Sequence, residues 1–153
     1  GNIFNFGTQK TDEMGFYFTD KNGERKSAWM GSYGIGITRV MGVIAEKFSD
    51  EKGLIWPENI APAKIYLVQI GEKSQELAEE IYNEFSKKGI EVLFDDRNLR
   101  PGQKFADAEL MGIPYRLTIS DRLLESGKFE VAARTNGEVE LLSREELFEK
   151  FVK

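Results

Sequence analysis

The chain has 153 residues and a formal net charge of −5, with 41% hydrophobic and 12% aromatic side chains and neither Cys nor His. Such a chain can bury a core, and its composition excludes a disordered polyelectrolyte, a disulfide scaffold and a metal site built on thiolate or imidazole. No apolar run reaches the 18 residues of a membrane span, and "GNIFNFGTQK" lacks the basic-then-apolar plan of a secretory leader, so a soluble, cytoplasmic protein is expected.

The first stretch, "GNIFNFGTQ", is rich in aromatic and β-branched residues and reads as a strand. "GFYFTDKNGERKSAWMGSYGIGI" continues with strand-like runs, and Asn22-Gly23 inside "DKNGE" predicts a hairpin turn. "TRVMGVIAEKF" then places Val40, Val43, Ile44 and Phe48 on one side of a helix, with Thr38 as its N-terminal cap. These strands have too few partners to close a core, so residues 1–49 are expected either to pack on the second domain or to be a piece of a larger sheet. "DEKGLIWPENIAPAK" follows. Pro57 and Pro62 deny it a long helix while Leu54, Trp56 and Ile60 give it something to bury, which predicts a packed connector over residues 50–63.

From residue 64 the pattern changes to alternating strands and helices. "KIYLVQI" reads as a buried strand, and "KSQELAEEIYNEFSKKG" as an amphipathic helix with Leu77, Ala78, Ile81 and Phe85 inward and Gly89 as its stop. "IEVLFDD" is a second strand, "PGQKFADAELMG" a helix opened by Pro101 and closed by Gly112, and "YRLTIS" a third strand. "KFEVAAR" and "EVELLS" flank the turn "TNG", and "SREELFEKFV" is a closing helix whose Ser143 and Glu146 form a capping box. Strand, helix, strand, helix, strand predicts right-handed crossovers and an α/β domain over residues 64–153, with a late hairpin adding antiparallel edges.

Charge is uneven along this domain. Residues 71–94 hold 3 basic and 6 acidic side chains, whereas residues 95–134 hold 7 of each. A nucleic acid would therefore meet the balanced middle through selected contacts.

The run "GSYGIGITR" spaces Gly31, Gly34 and Gly36 before Arg39. It is neither the dinucleotide fingerprint nor a phosphate loop. It gives a strand end stripped of side chains, on which a flat ligand can lie, with an arginine within reach of a purine ring or phosphate. A strand bent against a helix, with Arg39 merely exposed, fits the same spacing.

That run, followed by an apolar helix, resembles motif 3 of the class II aminoacyl-tRNA synthetases. Together with "GNIFNFGT", "GLIWPENIAPAKI" and "DDRNLRPGQKFADAELMGIPYRLTIS", it is similar to the prolyl-tRNA synthetase family along nearly the whole chain. The resemblance implies an α/β fold: an anticodon-binding domain with a mixed five-stranded sheet flanked by helices, preceded by a partial antiparallel α+β remnant of a class II catalytic domain. It implies ATP and Mg2+ as cofactors of the full-length enzyme, proline and the proline tRNA as its other partners, and a homodimer. Arg39 would be the catalytic, ATP-binding arginine, Gly34 and Gly36 the floor beneath the adenylate, and Asn2, Gly31 and Ser32 the border of the proline pocket.

In the second domain the resemblance places anticodon recognition on Glu109 and Arg122, with Lys104 and Arg116 as further phosphate or base contacts. Proline anticodons end in two guanines, whose N1 and N2 donors suit an acid and whose O6 and N7 acceptors suit an arginine. Phe105 either stacks or plugs the core, and Asp95 with Arg97 reads equally as a local ion pair. Motifs 1 and 2 of the family have no counterpart here, and neither does an editing insertion. One arginine does not supply the several positioned charges that adenylation needs. The expectation is a C-terminal part of a proline-tRNA ligase, inactive alone. A stand-alone anticodon-binding or regulatory module, or a threonyl-, histidyl- or glycyl-type fragment, is the alternative.

Overall fold

Residues 1–152 are described by a computed structural model, in which the chain divides into two units, Gly1–Val43 and Ile44–Lys153. In the first, β1 (Asn2–Gly7) leads through the short helix α1 (Gln9–Glu13) to a hairpin of β2 (Tyr17–Thr19) and β3 (Arg25–Ser27). The hairpin turns at the expected place: Gly23 has φ of 80°, and the Asn22 and Glu24 amides donate to Asp20 Oδ1 at 2.8 and 3.0 Å. β4 (Met30–Gly34) pairs antiparallel with β1 in the register Asn2 with Gly34, Ile3 with Tyr33, Phe4 with Ser32 and Asn5 with Gly31.

The helix α2 (Ile37–Lys47) starts two residues earlier than a Thr38 cap allows. Its first backbone bond runs from the Val40 amide to the Gly36 carbonyl at 2.9 Å, so Thr38 lies inside the helix. Val40 and Val43, predicted to face a core, are 39% and 56% exposed. Among the described residues of this unit only Thr11 is buried, its hydroxyl donating to the Ala28 carbonyl at 2.6 Å. The division between the units falls within α2, ahead of the connector boundary expected at residue 50.

The second unit opens with a minimal hairpin, β5 (Ser49–Asp50) and β6 (Gly53–Leu54), and continues to β7 (Ile65–Ile70), α3 (Gln75–Lys87), β8 (Val92–Asp95) and α4 (Pro101–Met111). Then come β9 (Tyr115–Ser120), the single turn α5 (Asp121–Leu124), β10 (Phe129–Ala133), β11 (Val139–Leu142) and α6 (Arg144–Phe151). The sheet order is β11-β10-β9-β7-β8, with β8 and β9 both parallel to β7 and the last two strands antiparallel. This is the mixed five-stranded sheet that the sequence predicts.

Alternation along β7 builds two cores. Ile65 and Leu67 pack with Ala78, Ile81 and Phe85 of α3 and with Leu147 and Phe151 of α6, while Tyr66 and Val68 face Ala108 of α4 on the opposite side. Each of the large side chains buried here contributes about 1.5–3 kcal/mol of transfer free energy. Gly89 and Gly112, at φ of 75° and 70°, end α3 and α4 in the left-handed region as expected. The capping box of α6 is present, with the Ser143 amide donating to Glu146 Oε2 at 2.7 Å and the Glu146 amide to Ser143 Oγ at 3.2 Å.

Gly112 also brings two segments together, because a side chain there would run into the main chain of Leu54. The Trp56 amide donates to the Gly112 carbonyl at 3.0 Å. The start of the connector is thus pinned to the end of α4.

Candidate nucleic-acid interface

A cleft of about 390 Å³ opens where the β5–β6 hairpin, the end of α4, the start of β9 and the β10–β11 turn meet. Its charged lining is Asp50, Lys52, Glu109, Arg116 and Arg134. Arg116 projects from the α4 side of β9, its guanidinium 4.4 Å from the centre of the Phe105 ring and its Nη2 3.3 Å from Glu130 Oε1. Its Nε is buried and meets no acceptor among the described residues. Phe105 both packs against the core under α4 and carries the guanidinium on its face.

Arg134 is 9% exposed and fully engaged. Its two terminal nitrogens grip Asp50 at 2.8 and 2.6 Å, and Nε donates to the Glu109 carbonyl at 3.1 Å. Asp50 also accepts the Lys52 and Gly53 amides at 2.8 and 3.1 Å. With Arg134 as the main cause, its carboxyl is held well below the usual carboxylate range. Glu109 stays at the rim, one carboxylate oxygen 3.3 Å from Lys52 Nζ. The cleft therefore presents an acceptor and a partly spent cationic fork, the fork itself resting on the Phe105 ring.

Glu109 and Arg116, both named from the sequence, are brought together here. Arg122 is not: it sits exposed on α5, beyond the far end of β9. Six residues of strand separate the two ends, about 20 Å. Lys104 is a correction to its expected role as a contact. It is 3% exposed, and its ammonium donates at 2.9 Å each to the Gln69 and Asp95 carbonyls, tying the ends of β7 and β8. A buried ammonium needs such acceptors, and it offers no exposed charge to a phosphate.

Asp95 and Arg97 form the local ion pair, with Arg97 Nε and Nη2 both 2.8 Å from the carboxylate and Nη2 reaching Asp107 at 2.7 Å. Asp50, Lys52 and Arg134 were missed by sequence reasoning. Asp50 and Arg134 lie 84 positions apart, and no local periodicity links them.

In the first unit, the β1–β4 register puts Asn2, Ser32 and Gly34 on one face. Gly31 belongs to the other face, where the Tyr33 side chain lies over it, so the three residues expected to border one pocket are split. The space beside Gly34 is open, and Gly36 lies against the Cβ of Arg39. Arg39 is exposed and makes no ion pair or side-chain hydrogen bond among the described residues.

The family model described as "Anticodon binding domain" matches residues 64–153. The chain belongs to the anticodon-binding domain family. Its five-stranded sheet and flanking helices are that domain, and the cleft lies at one end of it. Several relatives extend the match upstream. The proline–tRNA ligase of Persephonella marina is 45% identical over 150 residues, covering 96% of this chain and 26% of the relative. That of Burkholderia ambifaria is 43% identical over 150 residues, covering 95% and 26%, and that of Aquifex aeolicus 43% over 141 residues, covering 90% and 25%. The chain thus spans about a quarter of the length of the curated relatives it matches. No helix among the described residues is long and apolar enough to cross a membrane.

Proposed function

We propose that the chain is part of a cytoplasmic, homodimeric proline–tRNA ligase and that its anticodon-binding domain reads guanine in the anticodon of the proline tRNA. The observation that carries this reading is the shared cleft of Glu109 and Arg116 over Phe105. The carboxylate accepts from guanine N1 and N2, and the guanidinium donates to O6 or N7 of an unstacked loop base. Arg122 then serves as a more distant contact, away from the base in the cleft.

In the same reading Arg39, with the bare strand end at Gly34 and Gly36, holds ATP, and Asn2 and Ser32 border the proline pocket. Gly31 contributes backbone. Magnesium enters as the companion of the ATP phosphates; among the described residues no three candidate ligands gather into a site of their own. The remaining groups for adenylation come from elsewhere in the full-length enzyme, so this chain alone forms no prolyl-adenylate.

The test is binding of an RNA hairpin bearing the proline anticodon loop, with each guanine replaced in turn by inosine, which lacks N2. One replacement should weaken binding by about tenfold, on the order of 1–3 kcal/mol for a lost base contact, and Glu109→Gln should abolish the difference. Equal affinity for all loops would end the reading.

A further inference from the structure

We propose that the nucleic-acid interface extends beyond the matched domain into the β5–β6 hairpin, where Lys52 holds Glu109 in the free protein and passes to a backbone phosphate when a base docks. The inference rests on the anticodon reading above. The hairpin precedes Lys64, at which the family match begins, yet it forms one wall of the cleft. Its main chain is fixed. Gly53 lies so close to Leu110 that a side chain would overlap its backbone, and Gly112 meets Leu54 in the same way. Asp50 closes the turn by accepting the Lys52 and Gly53 amides and is itself clamped by Arg134.

The head of Lys52 is not fixed. Its side chain is 62% exposed and that of Glu109 36%, and a single contact of 3.3 Å joins them. Such a pair holds weakly in water and parts readily. A guanine that donates N1–H and N2–H needs both oxygens of Glu109, so Lys52 has to leave the oxygen it occupies. Its ammonium is then a free cation on the rim of an occupied base site. Every nucleotide carries a phosphate within one base length, and among the described residues no other cation of the cleft is free to meet it: Arg134 is spent on Asp50 and the Glu109 carbonyl, and in this reading Arg116 faces the base. The exchange leaves no buried charge unpaired.

The experiment is a fluorescence-anisotropy titration of the whole 153-residue chain with the labelled anticodon hairpin at several KCl concentrations. Lys52→Gln should weaken binding about three- to tenfold and lower the slope of log affinity against log salt by about 0.7, the value for one phosphate contact on a single strand. It should leave both the preference for guanine over inosine and the melting temperature unchanged, and Lys52→Arg should restore the slope. Tighter binding by Lys52→Gln would mean that the lysine only competes for Glu109, and it would overturn the inference, as would an unchanged slope. If guanine preference is intact while the slope does not move, the Lys52 inference fails alone. If the unaltered chain binds without guanine preference, or not at all, the base reading fails and takes this inference with it.

Discussion

Asp95 shows how much a single buried acid depends on its surroundings. Arg97 lowers its pKa from 3.8 to about 2, against the burial that would raise it, and the Tyr66 hydroxyl donates to it at 2.9 Å. A carboxyl with a depressed folded pKa stabilises the fold above its unfolded value and loses that contribution as pH falls through the folded one. Stability should therefore drop by about 2 kcal/mol between roughly pH 4 and pH 2 on account of this group. Urea titrations across that range should show the decline in the native chain and a shallower one in Asp95→Asn. Residue types were legible here but their directions were not. The sequence offers Lys104 as one basic residue among seven, and only the meeting of the ends of β7 and β8 turns its ammonium inward. Arg116 and Glu109 differ because the end of α4 and the start of β9 converge, which fixes both at one cleft.

Elements were the most legible scale in the second unit. The spacing of Ala78, Ile81 and Phe85, the proline at the head of α4 and the box at Ser143 are local signals, and each acts within a turn or two of helix. What local signals cannot carry is docking. The β5–β6 hairpin has two residues per strand, too few to set a period, and it exists because Asp50 and Gly112 hold it. Two glycines of similar φ separate the two effects. Gly89→Ala has open space and should cost only the left-handed strain, about 1–2 kcal/mol, whereas Gly112→Ala adds a collision with Leu54 and should cost clearly more. Chemical denaturation of the two variants checks this, and equal losses would mean that the hairpin gives way freely.

The two units differ most when the molecule is taken whole. The second has two cores on either side of one sheet; the first leaves Ile3, Tyr33, Trp29 and Ile37 more than 70% exposed and buries Thr11 alone among its described residues. The sequence says only that these short strands have too few partners of their own to close a core. It did not foretell the sheet order, because the crossover rule fixes handedness and leaves open which strand is central. Amide hydrogen exchange should find slow sites confined to β7–β11, α3, α4 and α6, with the amides of β1–β4 exchanging orders of magnitude faster. Comparable protection in both halves would contradict this.

The length of β9 acts as a gauge. Glu109 and Arg116 lie near its first residues and Arg122 past its last, so a nucleotide seated against one end stands a full strand away from the other. An RNA loop that touches both must cross the sheet lengthwise. On the proposed reading, the cation at the far end would answer to how the loop is oriented and not to which letter the cleft has accepted.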